Sequence, residues 1–228
     1  AIILASFLTN AQVVLSEDFE SSAITFPATW TNENLNPLGD PAELWTIGTS
    51  GDFELMFNAG NGYFYQEGGS GNYAIFNSDS YGQNGAENVA LSSPVFDCSS
   101  LTTIKLSFVH FAAILDPSGY GSNAYVEVFN GIQWVLVAEY SPNTVAPFSN
   151  NFTYDYGEKI IDVSTELAGV SNAQVRFRSE GDWGYGWQVD NIVVQQPQGN
   201  APGVVTDLVP ADGATGVEIL VSETGSKM

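Results

Sequence analysis

Five oxygen-bearing side chains stand where predicted strands begin or end: Asp18 and Glu20 near the start, Asn77 and Asp79 in the middle, Asp190 near the close. Calcium takes roughly six to eight oxygen ligands, and carboxylates backed by carbonyls at strand ends supply them well. If the first and last strands of a sandwich lie side by side, these acids converge, and they form the predicted calcium site. Strict alternation along residues 187–194 puts Asp190 on the face of Ile192 and Val194. A carboxylate on an apolar face needs a ligand, a partner or a β-bulge. No Asp-x-Asp-x-Asp-Gly loop is present, so an EF-hand is excluded.

The stretch 181–194, GDWGYGWQVDNIVV, carries a second possibility. Trp183 and Tyr185 alternate with glycine and read as a loop. With Tyr63, Tyr65 and Tyr81 they form a predicted aromatic platform for a sugar ring or a peptide. Trp30, Trp134 and Trp187 are expected in the core, because large aromatics dominate burial.

Catalytic chemistry has thinner support. The single histidine, His110, lies in an apolar strand and reads as a buried, hydrogen-bonded residue. The single cysteine, Cys98, excludes an internal disulfide and has no histidine near it in sequence. There is no Gly-x-Ser-x-Gly elbow. Glycosidases need two carboxylates a few ångströms apart on one face. Glu180-Gly181-Asp182 imitates the opening of one such strand signature, but the third acid would fall at Tyr185. Glu127 and Glu139 are the remaining acids on a predicted hairpin. Asn151-Phe152-Thr153 matches an N-glycosylation acceptor and reads as a surface loop.

The elements that must position these residues are strands. Residues 103–114 form a long apolar strand, residues 174–178 alternate Val175 and Phe177 against Arg176 and Arg178, and no amphipathic helix of useful length occurs. Residues 125–129 and 132–140 flank Asn130-Gly131, which predicts a hairpin with a type I′ turn. Residues 77–88 read as a polar loop and 164–168 as one helical turn. Short strands separated by turn residues make an all-β sandwich.

Of the 228 residues, 5 are basic and 26 acidic, a net charge of −21, while 13% are aromatic. An acidic disordered chain would lack those aromatics. The negative field excludes nucleic acid and anionic membrane surfaces as partners and suits divalent cations. Residues 1–11 read as the apolar and cleavage regions of a secretory signal peptide, too short to span a bilayer, with cleavage after Ala11. The expected organisation is a signal remnant (1–11), a jelly-roll domain (13–195), a linker (196–202) and the start of an immunoglobulin-like module (203–228).

The order of Asp18-Phe19-Glu20-Ser21, Phe26-Pro27-Ala28-Thr29-Trp30, residues 74–79 (AIFNSD), residues 91–97 (LSSPVFD), residues 103–110 (TIKLSFVH), Val175-Arg176-Phe177-Arg178 and residues 187–192 (WQVDNI) resembles MAM-like jelly-roll modules of secreted Bacteroidetes proteins, of the cleaved-adhesin and choice-of-anchor type. The resemblance spans most of the predicted domain. It implies a jelly-roll β-sandwich of two antiparallel sheets, structural calcium, a secreted or cell-surface location, and type IX secretion of a larger multidomain parent. It implies a non-catalytic adhesion or ligand-binding role toward a glycan or an extracellular protein. A jelly-roll carbohydrate-active enzyme and a structural spacer of a filament are the alternatives.

Overall fold

The structure is a computed structural model that describes residues 11–22, 24–36, 38–49, 53–55, 64–66, 71–82, 85–115, 122–145, 147–149, 152–182 and 184–198. All of them fall in the compact unit Asn10–Gln198. The predicted signal remnant up to Asn10, the linker beyond Gln198 and the immunoglobulin-like start lie outside the described residues.

The elements run β1 (Gln12–Glu17), β2 (Thr31–Asn34), β3 (Thr46–Gly48), β4 (Phe53–Leu55), β5 (Phe64–Gln66), β6 (Tyr73–Phe76), α1 (Ser78–Tyr81), β7 (Glu87–Ser92), β8 (Lys105–Leu115), β9 (Asn123–Phe129), β10 (Trp134–Tyr140), β11 (Pro147–Ser149), β12 (Phe152–Asp162), α2 (Ser164–Leu167), β13 (Gln174–Gly181) and β14 (Gly186–Gln196). Seven strands make one sheet, β11-β12-β8-β14-β6-β3 with β1 also on β14; five make the other, β10-β9-β13-β7-β2. Every pairing is antiparallel, and the chain is a jelly-roll β-sandwich.

The core between the sheets follows from the alternation. Leu106 and Phe108 of β8, Trp187 and Val189 of β14, Val126 and Val128 of β9, and Val175 and Phe177 of β13 all point inward. Trp45, Phe177 and the His110 ring pack around Trp187. Burying one such large side chain stabilises the fold by about 2–3 kcal/mol.

β14 organises the larger sheet. Its Trp187–Val189 segment pairs with β6, and from Ile192 onward the same edge pairs with β1. The first and last strands therefore lie side by side. Asn191 stands at the handover, with φ 51° and a register shift against β8 between Asp190 and Val193. This bulge corrects the strict alternation expected of residues 187–194. Trp187 and Val189 face the core, and after one extra residue Ile192 and Val194 do so again. Asp190 thus avoids the apolar core face. Asn191 donates its backbone N to Asp190 Oδ1 (2.7 Å) and its Nδ2 to Asp190 Oδ2 (3.2 Å).

Three local expectations change. The β9–β10 connection spans residues 130–133, because Phe129 pairs with Trp134. Only Gly131 has positive φ (88°), so the turn is not type I′. Asn130 Oδ1 instead accepts the Ile132 and Gln133 amides, an Asn-centred turn that competes with the tighter one. The expected polar loop after β6 contains the single turn α1, whose Ser80 amide donates to Asn77 Oδ1. Trp134 is only partly buried and leaves the core for the outer face of the five-stranded sheet.

Candidate functional site

The five predicted calcium ligands divide between the two ends of β6. β1 ends at Glu17, so Asp18 and Glu20 follow the first strand instead of lying in it. Phe19 takes φ 54° to drop its ring into the core, 0% exposed, while its amide donates to Glu17 Oε1. Asp18 Oδ1 accepts the Glu20 amide, and Glu20 Oε1 accepts the Asn72 amide just before β6. A Cβ at Gly71, φ +77°, would meet Glu20 Oε1 at 2.0 Å, so this close approach requires glycine. Asn77 and Asp79 lie past the opposite end of β6, where the Asp79 amide donates to the Tyr185 carbonyl (3.2 Å). Four strand residues at about 3.3 Å each hold the two groups apart, so the five cannot close one cage. Among the described residues, no three His, Cys, Asp or Glu side chains converge as a ready metal cage.

That second end of the sandwich holds acids that the sequence reading passed over. Glu43 and Glu87 are 1% and 2% exposed. Ser78 Oγ lies 2.8 and 2.7 Å from the two Glu87 carboxylate oxygens and accepts the Gly184 amide at 2.6 Å. Glu43 Oε2 and Asp182 Oδ1 are buried without a hydrogen-bond partner. Burial first, then the charges of Glu43 and Asp182, push the Glu87 carboxyl up to about 7, against the pull of Ser78. Burial, then Asp40 and Asp182, also raises Glu43. No Lys or Arg among the described residues pairs with these acids. Ser78 also borders a shallow pocket, partly open to solvent, with Ser122, Ser179 and Trp187 in its lining.

Of the predicted aromatic platform, the structure describes the side chains of Tyr185 and Tyr81. Tyr185 is partly buried and packs on the Tyr73, Ile75, Phe111 and Ala113 cluster. Tyr81 stacks on Phe76, donates its hydroxyl proton to the Leu44 carbonyl and accepts the Leu44 amide. Both side chains are used in packing because their neighbours alternate toward apolar surface. Trp183 and Tyr63 lie outside the described residues, as does the side chain of Tyr65 in β5.

An aromatic array stands instead on the outer face of the five-stranded sheet. In register across β2, β7, β13, β9 and β10 lie Glu33, Ala90, Arg178, Tyr125 and Glu139. The next row holds Thr31, Ser92, Arg176, Glu127 and Leu136, and Phe129 pairs Trp134 beyond it. The Arg176 guanidinium lies 4.2 Å from the Trp134 ring and that of Arg178 4.4 Å from Tyr125. Glu127 Oε2 accepts both Nε groups, at 2.7 and 3.2 Å, and Arg178 also donates to Glu180 and Asn88. Thr31, Glu33 and Leu136, on the two edge strands, are exposed, while the side chains of Arg176, Arg178 and Glu127 between them keep 12%, 16% and 10% of their surface. The Arg-x-Arg alternation in β13 was the sequence signal for this face; its aromatic neighbours come from another part of the chain.

The reactive side chains are committed elsewhere. His110 is 0% exposed, and its Nδ1 accepts the Trp187 indole N–H at 3.2 Å. Its Nε2 is 3.8 Å from Asp155 Oδ1, and burial holds its pKa below the usual range. Burial acts against Asp155, but His110 and Lys159 hold that carboxyl down at about 2. Burial pushes the Cys98 thiol up to about 11, with Asp97 adding to it, which removes the thiolate a nucleophile needs. Glu127 and Glu139 do share a face, but Glu127 is held by two guanidinium groups. Asn151 lies outside the described residues, and Thr153 is buried in β12.

No protein-family model and no curated protein matches this sequence. Solved structures do. The K3 cleaved adhesin domain of Lys-gingipain from Porphyromonas gingivalis aligns over 82% of this chain and 99% of its own, with 17% identity and a TM-score of 0.50. The K1 domain of the same protein aligns over 84% and 100%, with 18% identity and a TM-score of 0.49. The Stig cyclase Fisc from Fischerella aligns over 83% and 100%, with 14% identity and a TM-score of 0.49. At such identities the likeness is one of fold, and the chain has the sandwich of an adhesin domain. Fold alone does not choose the function. No helix among the described residues is long and apolar enough to cross a membrane.

Proposed function

We propose that this chain is a non-catalytic, adhesion-type ligand-binding module of the MAM-like class, displayed outside the cell within a larger protein. The observation that carries the reading is the outer face of the five-stranded sheet. There, partly exposed aromatic rings, guanidinium groups and a carboxylate are locked together on the side of the sheet that faces away from the core. The commitment of His110 and Cys98 to the core supports a binding role over a catalytic one. The ligand is an extracellular glycan or protein. The test immobilises the chain and challenges it with a glycan array and a panel of extracellular matrix proteins. Saturable binding to either, without turnover, is expected. Turnover of a glycan would establish the enzyme, and no binding to either panel would leave the spacer role.

Calcium belongs to the same reading, at a different place from the five residues first expected. Glu43, Glu87 and Asp182 are the alternative place for a divalent cation, although the three do not form a ready cage, because two buried carboxylate oxygens there lack partners and no basic residue among the described ones pairs with them. Oxygens of this type are what calcium takes, with Ser78 Oγ, carbonyls and water available to complete the set. The chain should melt higher in calcium than in chelator, and Glu87→Gln should shrink that difference. Equal melting curves in calcium and chelator would remove the metal.

A further inference from the structure

We infer that the outer face of the five-stranded sheet is a binding site for a neutral glycan chain, with Trp134, Arg176, Arg178 and Tyr125 as its contact residues. The inference rests on the ligand-binding reading above and names the chemistry of the ligand.

Three observations lead there. First, among the described residues Arg176 donates only its Nε, which leaves the donors of its two terminal amino groups. The guanidinium carbon lies 4.2 Å from the centre of the Trp134 ring, which holds those donors beside the indole. A two-pronged donor beside an indole face suits the vicinal hydroxyls and the C–H-rich flank of a pyranose, since an aromatic ring offers apolar area at little entropic cost. Second, Arg178 on Tyr125 repeats this pair two residues further along β13, so the site extends over more than one sugar unit. Third, the array carries no surplus positive charge. Arg176 and Arg178 are offset by Glu127 and Glu180. The whole chain bears −21, so an anionic polymer is repelled. Hydroxyl-rich, uncharged ligands have no such opposition.

A peptide is the less suitable occupant. Extended peptides add to strand edges through backbone hydrogen bonds. The residues described here lie on the face of the sheet, with β9, β13 and β7 paired on both sides.

The test is native gel electrophoresis of the chain through gels containing soluble neutral polysaccharides (a β-glucan, a galactan, a galactomannan) or the acidic polygalacturonate, at about 0.15 M salt. Retardation by at least one neutral polysaccharide and none by polygalacturonate is expected. Arg176→Gln and Trp134→Ala should each weaken it at least about tenfold. Arg176→Gln leaves Glu127 paired with Arg178, so an unchanged melting curve separates lost binding from lost fold. No retardation by any neutral polysaccharide, retardation by polygalacturonate alone, or retardation unaffected by both variants would overturn the inference. Matrix-protein binding that persists in that case keeps the ligand-binding reading and rejects only the glycan.

Discussion

Glu127 on the outer face of the five-stranded sheet and Glu87 at the α1 end of the sandwich are both nearly buried, 8% and 2% exposed. Their surroundings differ in kind. Glu127 is met by two guanidinium groups at 2.7 and 3.2 Å. Glu87 is met by a serine hydroxyl and by the like charges of Glu43 and Asp182. Two of the five basic residues of the chain are thus used on one carboxylate, while three acids at the other site have none. A paired array can be held rigid in any ionic condition and serves as a fixed surface. An unpaired one must recruit a proton or a cation, so its stability depends on what the solution supplies.

Breaking the paired side should have the largest effect. Glu127→Ala strands the Arg176 guanidinium and removes one of the partners of Arg178, and is expected to cost about 3 kcal/mol in urea unfolding. A loss below about 1 kcal/mol would mean that the aromatic stacking alone holds the arginines.

On the unpaired side the sign reverses. The rise of Glu87 from 4.5 to about 7 is worth about 3 kcal/mol between its protonation states. The raised folded pKa means the native state binds the extra proton between those values. That contribution is complete below pH 4.5 and is lost as pH rises through 7. In chelator at pH 8, Glu87→Gln should therefore be more stable than the parent, by up to about 3 kcal/mol, and near equal to it at pH 4.5. A Glu87→Gln chain that unfolds more easily at pH 8 would show that the carboxylate already has a stabilising partner.

His110 tests the acid limb. Its folded pKa is depressed, so its contribution is present above 6.5 and is lost as pH falls below that value. His110→Gln should flatten the loss of stability below pH 6 in a pH series of melting curves. A limb of unchanged slope would assign acid sensitivity to other groups.

The smallest change is expected at Lys105–Asp162, an ion pair at 2.8 Å with side chains 33% and 57% exposed. Lys105→Ala should leave the melting midpoint within error, as exposed pairs generally do. A measurable drop there would weaken the contrast between paired and unpaired sites, because pairing would then matter even in water.

Both clusters were only half legible beforehand. Arg176 and Arg178 alternate with Val175 and Phe177 within five residues, and that pattern alone places the arginines outward. Trp134 was read as core because aromatic size favours burial, but the four-residue turn after Phe129 sets it opposite an outward-facing partner. Glu43, Glu87 and Asp182 carry no shared motif. They meet because β7, the β2–β3 connection and the end of β13 reach the same end of the sandwich.

The sequence by itself determined the strands, their two-residue alternation, the absence of long helices and the negative charge, since each depends on neighbours along the chain. Only the tertiary structure decided which acids meet and which rings are covered. The bulge at Asn191 shows the reason. One extra residue with positive φ reverses every side chain after it and turns Asp190 away from the core, and that slip is set by how β14 leaves β6 for β1. Contacts of that kind join residues far apart in the chain, so no local pattern records them.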